Sequence, residues 1–287
     1  MNKIEVMVLN PEAATFGEKM MVFGSRLTQR GHQIKNMDDL MELFNRSYKP
    51  ETCSMMLDLP HANPKRHAMI TVAVVGASRR FLAQITRHQD DVHFISASLQ
   101  YSDYAGEADF CVPYGLIEKD AVHYGNAEFV EGYFIKSYLN SEKQAMIEYA
   151  AARAQGVDND TCGYMAPQGL RNILLITATP FEWIHMISQR VCRRNTPETQ
   201  YVMCLIWEQL WPLSSMFHTL CLPDCGQPGG CREGQKFSCK QRFLDKAVDV
   251  YRTERGCSIP TAFLNVNYPL IRQEQIENWR LQNDIRY

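Results

Sequence analysis

The chain has no run of about 18 uncharged apolar residues, so no membrane span is expected. It has no excess of either charge: 30 Lys and Arg face 32 Asp and Glu, a net −2 that gives no general field for nucleic acid. The opening MNKIEVMVLNPEAATFGEK lacks the apolar stretch of a secretory leader, and a cytoplasmic address is the expectation. In a reducing compartment the 10 cysteines read as thiols or metal ligands before disulfides. Internal repeats and low-complexity linkers are absent too, so residues 1–287 are read as one domain, with a Cys-rich loop at 221–239. Hydrophobic content of 45% and charged content of 22% are ordinary for a soluble globular protein.

Residues 68–75 (Ala-Met-Ile-Thr-Val-Ala-Val-Val) are apolar and β-branched and predict a buried strand ended by Gly76. Ser78 is the expected N-cap of a helix over roughly 79–88. Residues 120–155 read as largely helical, with Gly156 as the stop. Thr179-Pro180-Phe181-Glu182 is a capping box with Pro at the first helical position. Thr196-Pro197-Glu198 starts a further helix that points Tyr201, Leu205 and Trp207 to Leu210 inward. Trp183, Met186 and Ile187 read as core. The pattern is α+β, with the chemistry on helix starts and loops.

The chemistry-bearing stretch is Arg87-His88-Gln89 with Ser98-Leu99-Gln100-Tyr101 ten residues past His88. Arg keeps its charge and His titrates near neutrality, so both seek anions or polar partners. With Gln84 before it, this stretch resembles the flavin-dependent thymidylate synthases, where Arg-His-Arg, a seven-residue spacer and Ser-x-Arg-Tyr build the flavin and deoxyuridylate site. The similarity runs from about His61 to Gln200. His61 and His67 stand six apart, Gly76-Ala77-Ser78-Arg79 precedes Gln84, and SDYAGEADFCVP leads to a strand ending at Pro113. Ala166-Pro167 follows, then Arg190 within EWIHMISQRVC, and Gln200 after four extra residues.

The resemblance implies a mixed sheet with long helices. It also implies C5 methylation of dUMP to dTMP, with FAD as cofactor and NADPH and methylenetetrahydrofolate as co-substrates. It assigns His61, Arg87, His88, Gln89 and His185 to the cofactor. Gln84, Ser98, Gln100 and Arg190 go to the substrate, and Arg190 to the developing negative charge as the catalytic group. A homotetramer with shared sites is the family expectation. For each of these residues a plain structural reading stands beside the functional one. Arg87 and His88 could cap a helix C-terminus, Ser98 could serve a turn, and His185 could simply pair with Glu182. His61 and His67 read equally as core histidines, and Arg190 as a solvent-facing helical Arg.

The departures fall where substrate would touch. Gln89 and Gln100 stand where the family has Arg, Gly163 where it has another, and the spacer is one residue longer. A Gln offers only a neutral donor, so each lost charged hydrogen bond costs about 1.5–3 kcal/mol. Two alternatives follow: a related C5 modification, such as hydroxymethylation, of another pyrimidine nucleotide, or a catalytically silent nucleotide- or flavin-binding protein. In the first, Arg171, Arg193 or Arg194 would hold the phosphate.

Cys221, Cys225, Cys231 and Cys239 crowd CLPDCGQPGGCREGQKFSC and form a candidate structural zinc set. Their spacing is not the paired CxxC of zinc ribbons, so free thiols and disulfides stay open as readings. Cys225, Cys231 and Cys239 resemble a three-cysteine tail of some bacterial members of the family.

Overall fold

The computed structural model describes residues 4–57, 59, 61, 63–106, 108–124, 132–239 and 243–272. In chain order the first half holds β1 (Glu5–Val8), α1 (Glu12–Arg30), α2 (Met37–Asn45), α3 (Pro50–Leu57), β2 (Ile70–Ser78), α4 (Arg79–Ile85) and β3 (Val92–Ser96). Next come α5 (Tyr114–Tyr124), α6 (Tyr133–Ala154), α7 (Asn159–Cys162) and β4 (Arg171–Ala178). The chain continues through α8 (Pro180–Arg190), α9 (Pro197–Leu210), α10 (Gly234–Phe237), α11 (Phe243–Thr253) and α12 (Ile259–Asn267). This is the α+β class the sequence predicts.

The strands form one antiparallel sheet in the order β1-β2-β4-β3. Alternation places Ile70, Val72 and Val74 of β2 with Leu174 and Ile176 of β4 on the buried face. Against that core lies α9, buried at every position from Thr199 to Trp207 and again at Leu210. An uncharged run of that length leaves no polar face to show to water, so the helix is buried all round. Trp183 and Trp207 satisfy their ring N–H groups on Ile70 O at 3.0 Å and Phe217 O at 2.6 Å.

Gly76 does not end β2. It adopts φ 90°, the pairing with β4 slips between Val75 and Ala77, and the strand runs on to Ser78. Ser78 then caps α4, its Oγ accepting from Phe81 N at 3.1 Å. The helix stops at Ile85, short of the predicted 88, so Arg87 and His88 sit in the turn after it. The helix expected over 120–155 is two, α5 and α6, with residues 125–131 outside the described set. Gly156, at φ 84°, follows α6 in the left-handed conformation expected of a stop. The strand expected to end at Pro113 is an isolated bridge, Phe110 to Leu170. Thr179 and Thr196 cap α8 and α9 as predicted.

Glu198, in the first turn of α9, locks these pieces together. Its carboxylate accepts from Ser78 N at 2.7 Å, Ser78 Oγ at 2.6 Å and the Cys111 thiol at 3.3 Å. One side chain thereby fixes the end of β2, the start of α4 and the strand-like stretch before Pro113. Burial, then Glu198, pushes the Cys111 thiol up, so it stays protonated. Glu198→Ala should lose about 2–3 kcal/mol of stability, the worth of its charge-assisted hydrogen bonds. Urea unfolding checks this, and a loss below about 0.5 kcal/mol would contradict it.

Candidate functional site: a buried carboxylate between two histidines

From Ser78 the seven residues of α4 carry the chain back about 10 Å along the sheet at 1.5 Å per residue. The following turn reaches the start of α8, where Thr179 N donates to Asp91 O at 3.1 Å. Thr179 Oγ1 accepts from Glu182 N at 3.2 Å, the forward half of the predicted capping box. The reverse half does not form, because the Thr179 N–H is already taken by Asp91. The Glu182 carboxylate is left for other partners.

Those partners are two imidazoles. Glu182 Oε1 lies 2.9 Å from His88 Nδ1 and Oε2 lies 3.0 Å from His185 Nδ1. The His88 and Glu182 side chains are only 4% and 3% exposed, whereas His185 is 53% exposed. The far ring nitrogen of His88, Nε2, meets Arg190 Nε at 3.0 Å. A guanidinium N–H can only donate, so Nε2 must accept, and the His88 proton sits on Nδ1 facing Glu182. Arg190 Nη1 in turn donates to Asn195 Oδ1 at 3.2 Å. The result is a continuous line, His185–Glu182–His88–Arg190–Asn195, from one lip of the site to the other.

Burial acts to raise the Glu182 carboxyl, but hydrogen bonds from His185 and His88 outweigh it and hold the group below its usual range. The Glu182 hydrogen bond raises His185 against the opposing effect of burial. Burial, then Arg87, lowers the Arg190 guanidinium, which nonetheless stays charged. Among the described residues no carboxylate forms an ion pair with Arg87 or Arg190. Beside this line opens a cavity of about 490 Å³, lined among others by His185, Arg190, Arg193, Arg194 and Asn195. A concave, cationic space of that size suits an anionic ligand.

Of the residues predicted from sequence, His88, His185 and Arg190 are brought together, and Arg87 lies within electrostatic reach of Arg190. His61, Gln89 and Gln100 are exposed and Gln84 is half-buried. Ser98 Oγ accepts from Gln100 N at 3.1 Å within its own turn. None of these five hydrogen-bonds to the Glu182 line among the described residues. Gln200 is buried, donating to Val191 O at 3.2 Å and accepting from the Tyr268 hydroxyl. Arg171 is committed to Asp109 and to Gly76 O, which removes it as a candidate phosphate holder.

Sequence reasoning missed Glu182 and Asn195 as site residues. The cue for Glu182 was its place three residues before His185. It also set Cys221 among the metal candidates. That assignment is corrected: Cys221 is fully buried in the core, while Cys225, Cys231 and Cys239 line the cavity with Cys192.

The lowered carboxyl and raised imidazole set a pH window. Glu182 contributes stability above its ordinary value and loses it as pH falls through its lowered folded value. His185 contributes below its ordinary value and loses it as pH rises through its raised one. The Glu182–His185 pair is therefore fully present between pH 4.5 and 6.5. Glu182→Gln should return His185 to its ordinary titration in NMR. An unchanged His185 titration in that variant would refute the pairing.

The family described as "Thymidylate synthase complementing protein" matches residues 13–213. A flavin-dependent thymidylate synthase from Nitratidesulfovibrio vulgaris is 23% identical over 193 residues, spanning 67% of this chain and 76% of that protein. Among solved structures, the UMP/dUMP methylase PolB from Streptomyces cacaoi, bound with 5-Br dUMP, superposes with a TM-score of 0.56 at 14% identity. That match covers 77% of this chain and 95% of PolB. The Helicobacter pylori thymidylate synthase ThyX with FAD and dUMP gives 0.52 at 12% identity, covering 75% of this chain and 99% of that one. The fold is that of these enzymes, and with the match extending over most of its length the chain belongs to the thymidylate synthase complementing protein family.

Proposed function

We propose that this chain is a flavin-dependent enzyme that modifies C5 of a pyrimidine nucleotide. The specific reading is methylation of dUMP to dTMP, with methylenetetrahydrofolate as carbon donor and NADPH as reductant. The observation that carries it is the guanidinium of Arg190, half-buried, unpaired by any carboxylate among the described residues and aimed by His88 and Asn195 at the rim of a cationic cavity. Two of its nitrogens are held by protein acceptors, which leaves Nη2 as the edge offered to a ligand. Charge developing on the pyrimidine as C5 changes bonding would meet a donor already oriented, at little reorganisation cost.

The residues fit FAD by the chemistry of the donor set. Arg87, unpaired by any carboxylate among the described residues, supplies positive charge for a pyrophosphate, and His185 presents a half-exposed ring edge to the cavity. Arg87 and His185 would hold the flavin, with His88 supporting from behind through Glu182. When bound, the reduced flavin supplies the reducing equivalents. Arg190 binds and polarises the nucleotide base, while Arg193 and Arg194 on the cavity wall are placed for its phosphate.

A second reading, C5 modification of a different pyrimidine nucleotide, rests on Gly163. A Cβ there would stand 3.2 Å from Leu99 Cβ, so the space a longer residue would need is filled by Leu99. With no cation at Gly163 and Leu99 beside it, a phosphate or sugar would have to be seated differently. A homotetramer is supported by the open sheet face, where Met7, Val75, Ile95 and Ile173 are 63%, 41%, 69% and 53% exposed. Val75 and Ile173 are cross-strand partners there. No described helix is long and apolar enough to cross a membrane, and a cytoplasmic site of action fits the chemistry proposed.

The test is the purified protein supplied with FAD, NADPH and methylenetetrahydrofolate, assayed for release of tritium from C5-labelled dUMP and from other labelled pyrimidine nucleotides. The expected result is bound FAD and release from dUMP. Release only from another nucleotide selects the second reading, and bound flavin without any release selects a silent binding protein. Arg190→Ala should cut the rate about 10²–10³-fold, as for loss of one oriented electrostatic donor. A near-native rate would remove Arg190 from the mechanism.

A further inference from the structure

Cys192 lies two residues past Arg190, far in sequence from the cysteines of the 221–239 loop. The fold brings it to them. Cys192, Cys225, Cys231 and Cys239 come from the end of α8, the turn Asp224–Gly226, the stretch after Gly230 and the end of α10, and all line the same cavity. All four are free thiols. Cys221, in contrast, sits wholly in the core, its thiol raised by burial alone.

The loop is shaped for this approach. Gly229, Gly230 and Gly234 bracket Cys231 at φ 102°, 71° and 65°, left-handed turns that a side chain would strain. Ser188 of α8 ties the loop down by donating to Leu222 O at 2.8 Å. Arg194 and Glu233 pair across it at 3.7 Å. Burial, then Cys239 and Cys192, push the Cys225 thiol up to about 11, and Cys239 and Cys231 add to burial in raising Cys192. Four free thiols gathered on one cavity wall from segments distant in sequence are the donor set that a soft divalent cation takes.

We propose that Cys192, Cys225, Cys231 and Cys239 form a tetrahedral structural site for Zn²⁺. Soft thiolates suit this ion, and a closed four-sulfur set leaves no open position for chemistry. As the side chains stand, no three of the sulfurs lie mutually within 4.8 Å. Sulfurs at about 2.3 Å from zinc lie closer together than that, so binding draws the loop onto the end of α8. This braces the active-site line directly: Asn195, which holds Arg190, hydrogen-bonds Cys192 O through both its backbone N at 3.0 Å and its Nδ2 at 3.2 Å. Zinc here is a positioning device and takes no part in the reaction.

Elemental analysis of the full chain should find about one zinc per molecule. Cys192→Ser should lose it, whereas Cys221→Ser should keep it. Should either variant fail to fold, the native chain still decides. After chelation, adding Zn²⁺ alone should slow alkylation of all four cysteines together by at least about tenfold, with Cys53 and Cys257 unchanged. Stoichiometric iron, a disulfide between any two of the four in the protein as purified under reducing conditions, or Cys192 left reactive in the presence of zinc would overturn the proposal. None of these outcomes depends on flavin or nucleotide binding.

Discussion

A carboxylate with a side chain 3% exposed must be satisfied on both oxygens, and the site of this protein follows from how Glu182 meets that demand. Each oxygen takes one imidazole Nδ1. Because His88 spends its proton on Glu182, its Nε2 is left as an acceptor, and among the described residues the group set against it is a guanidinium that can do nothing but donate. The orientation of Arg190 is thus dictated two residues away from any ligand. A charged hydrogen bond of this kind is worth about 1.5–3 kcal/mol, and leaving the buried carboxylate without a partner costs about as much again. The sheet and the Glu198 clamp serve to bring two distant segments, the turn after α4 and the helix α8, to that one carboxylate.

Cationic density is the complementary constraint. Arg87 and Arg190 oppose one another, and Arg193 and Arg194 share the cavity, with acidic relief at Glu233 and Asp224 directed to Arg194 and Arg232. Like charges gathered in a half-buried space are tolerated where a ligand brings the counter-charge. The arrangement suits a site that receives an anionic ligand. Gln89 and Gln100 lie exposed away from that cavity, and Leu99 stands against Gly163, its Cβ 3.2 Å from where a side chain there would begin.

What the sequence made legible was local. Ser78, Thr179 and Thr196 announce helix starts because a cap depends on a few neighbouring residues, and all three cap as expected. The apolar strand and the inward face of α9 are equally readable from periodicity. Gly76 was ambiguous: one residue type serves strand ends and bulges alike, and pairing with β4 decided for the bulge. Glu182 was hidden by its own motif. A capping box assigns its carboxylate to the Thr179 N–H, and only the tertiary contact with Asp91 frees it. Cys192 was invisible for the converse reason, since nearness in sequence selects Cys221 while nearness in space selects Cys192. Arg87, His88 and Arg190 were singled out through resemblance, and the structure joins His88 to Arg190 by a hydrogen bond and sets Arg87 within electrostatic reach of Arg190.

The geometry makes His88 an Nδ1-protonated ring that holds Arg190 through Nε2. Long-range proton–nitrogen correlation spectra of the histidine rings at neutral pH read this directly, because the two ring nitrogens of each tautomer have distinct shifts. A protonated Nδ1 with a bare Nε2 is expected for His88. An imidazolium, or a proton on Nε2, would contradict it, since Arg190 would then face a donor and the line that aims it would be broken.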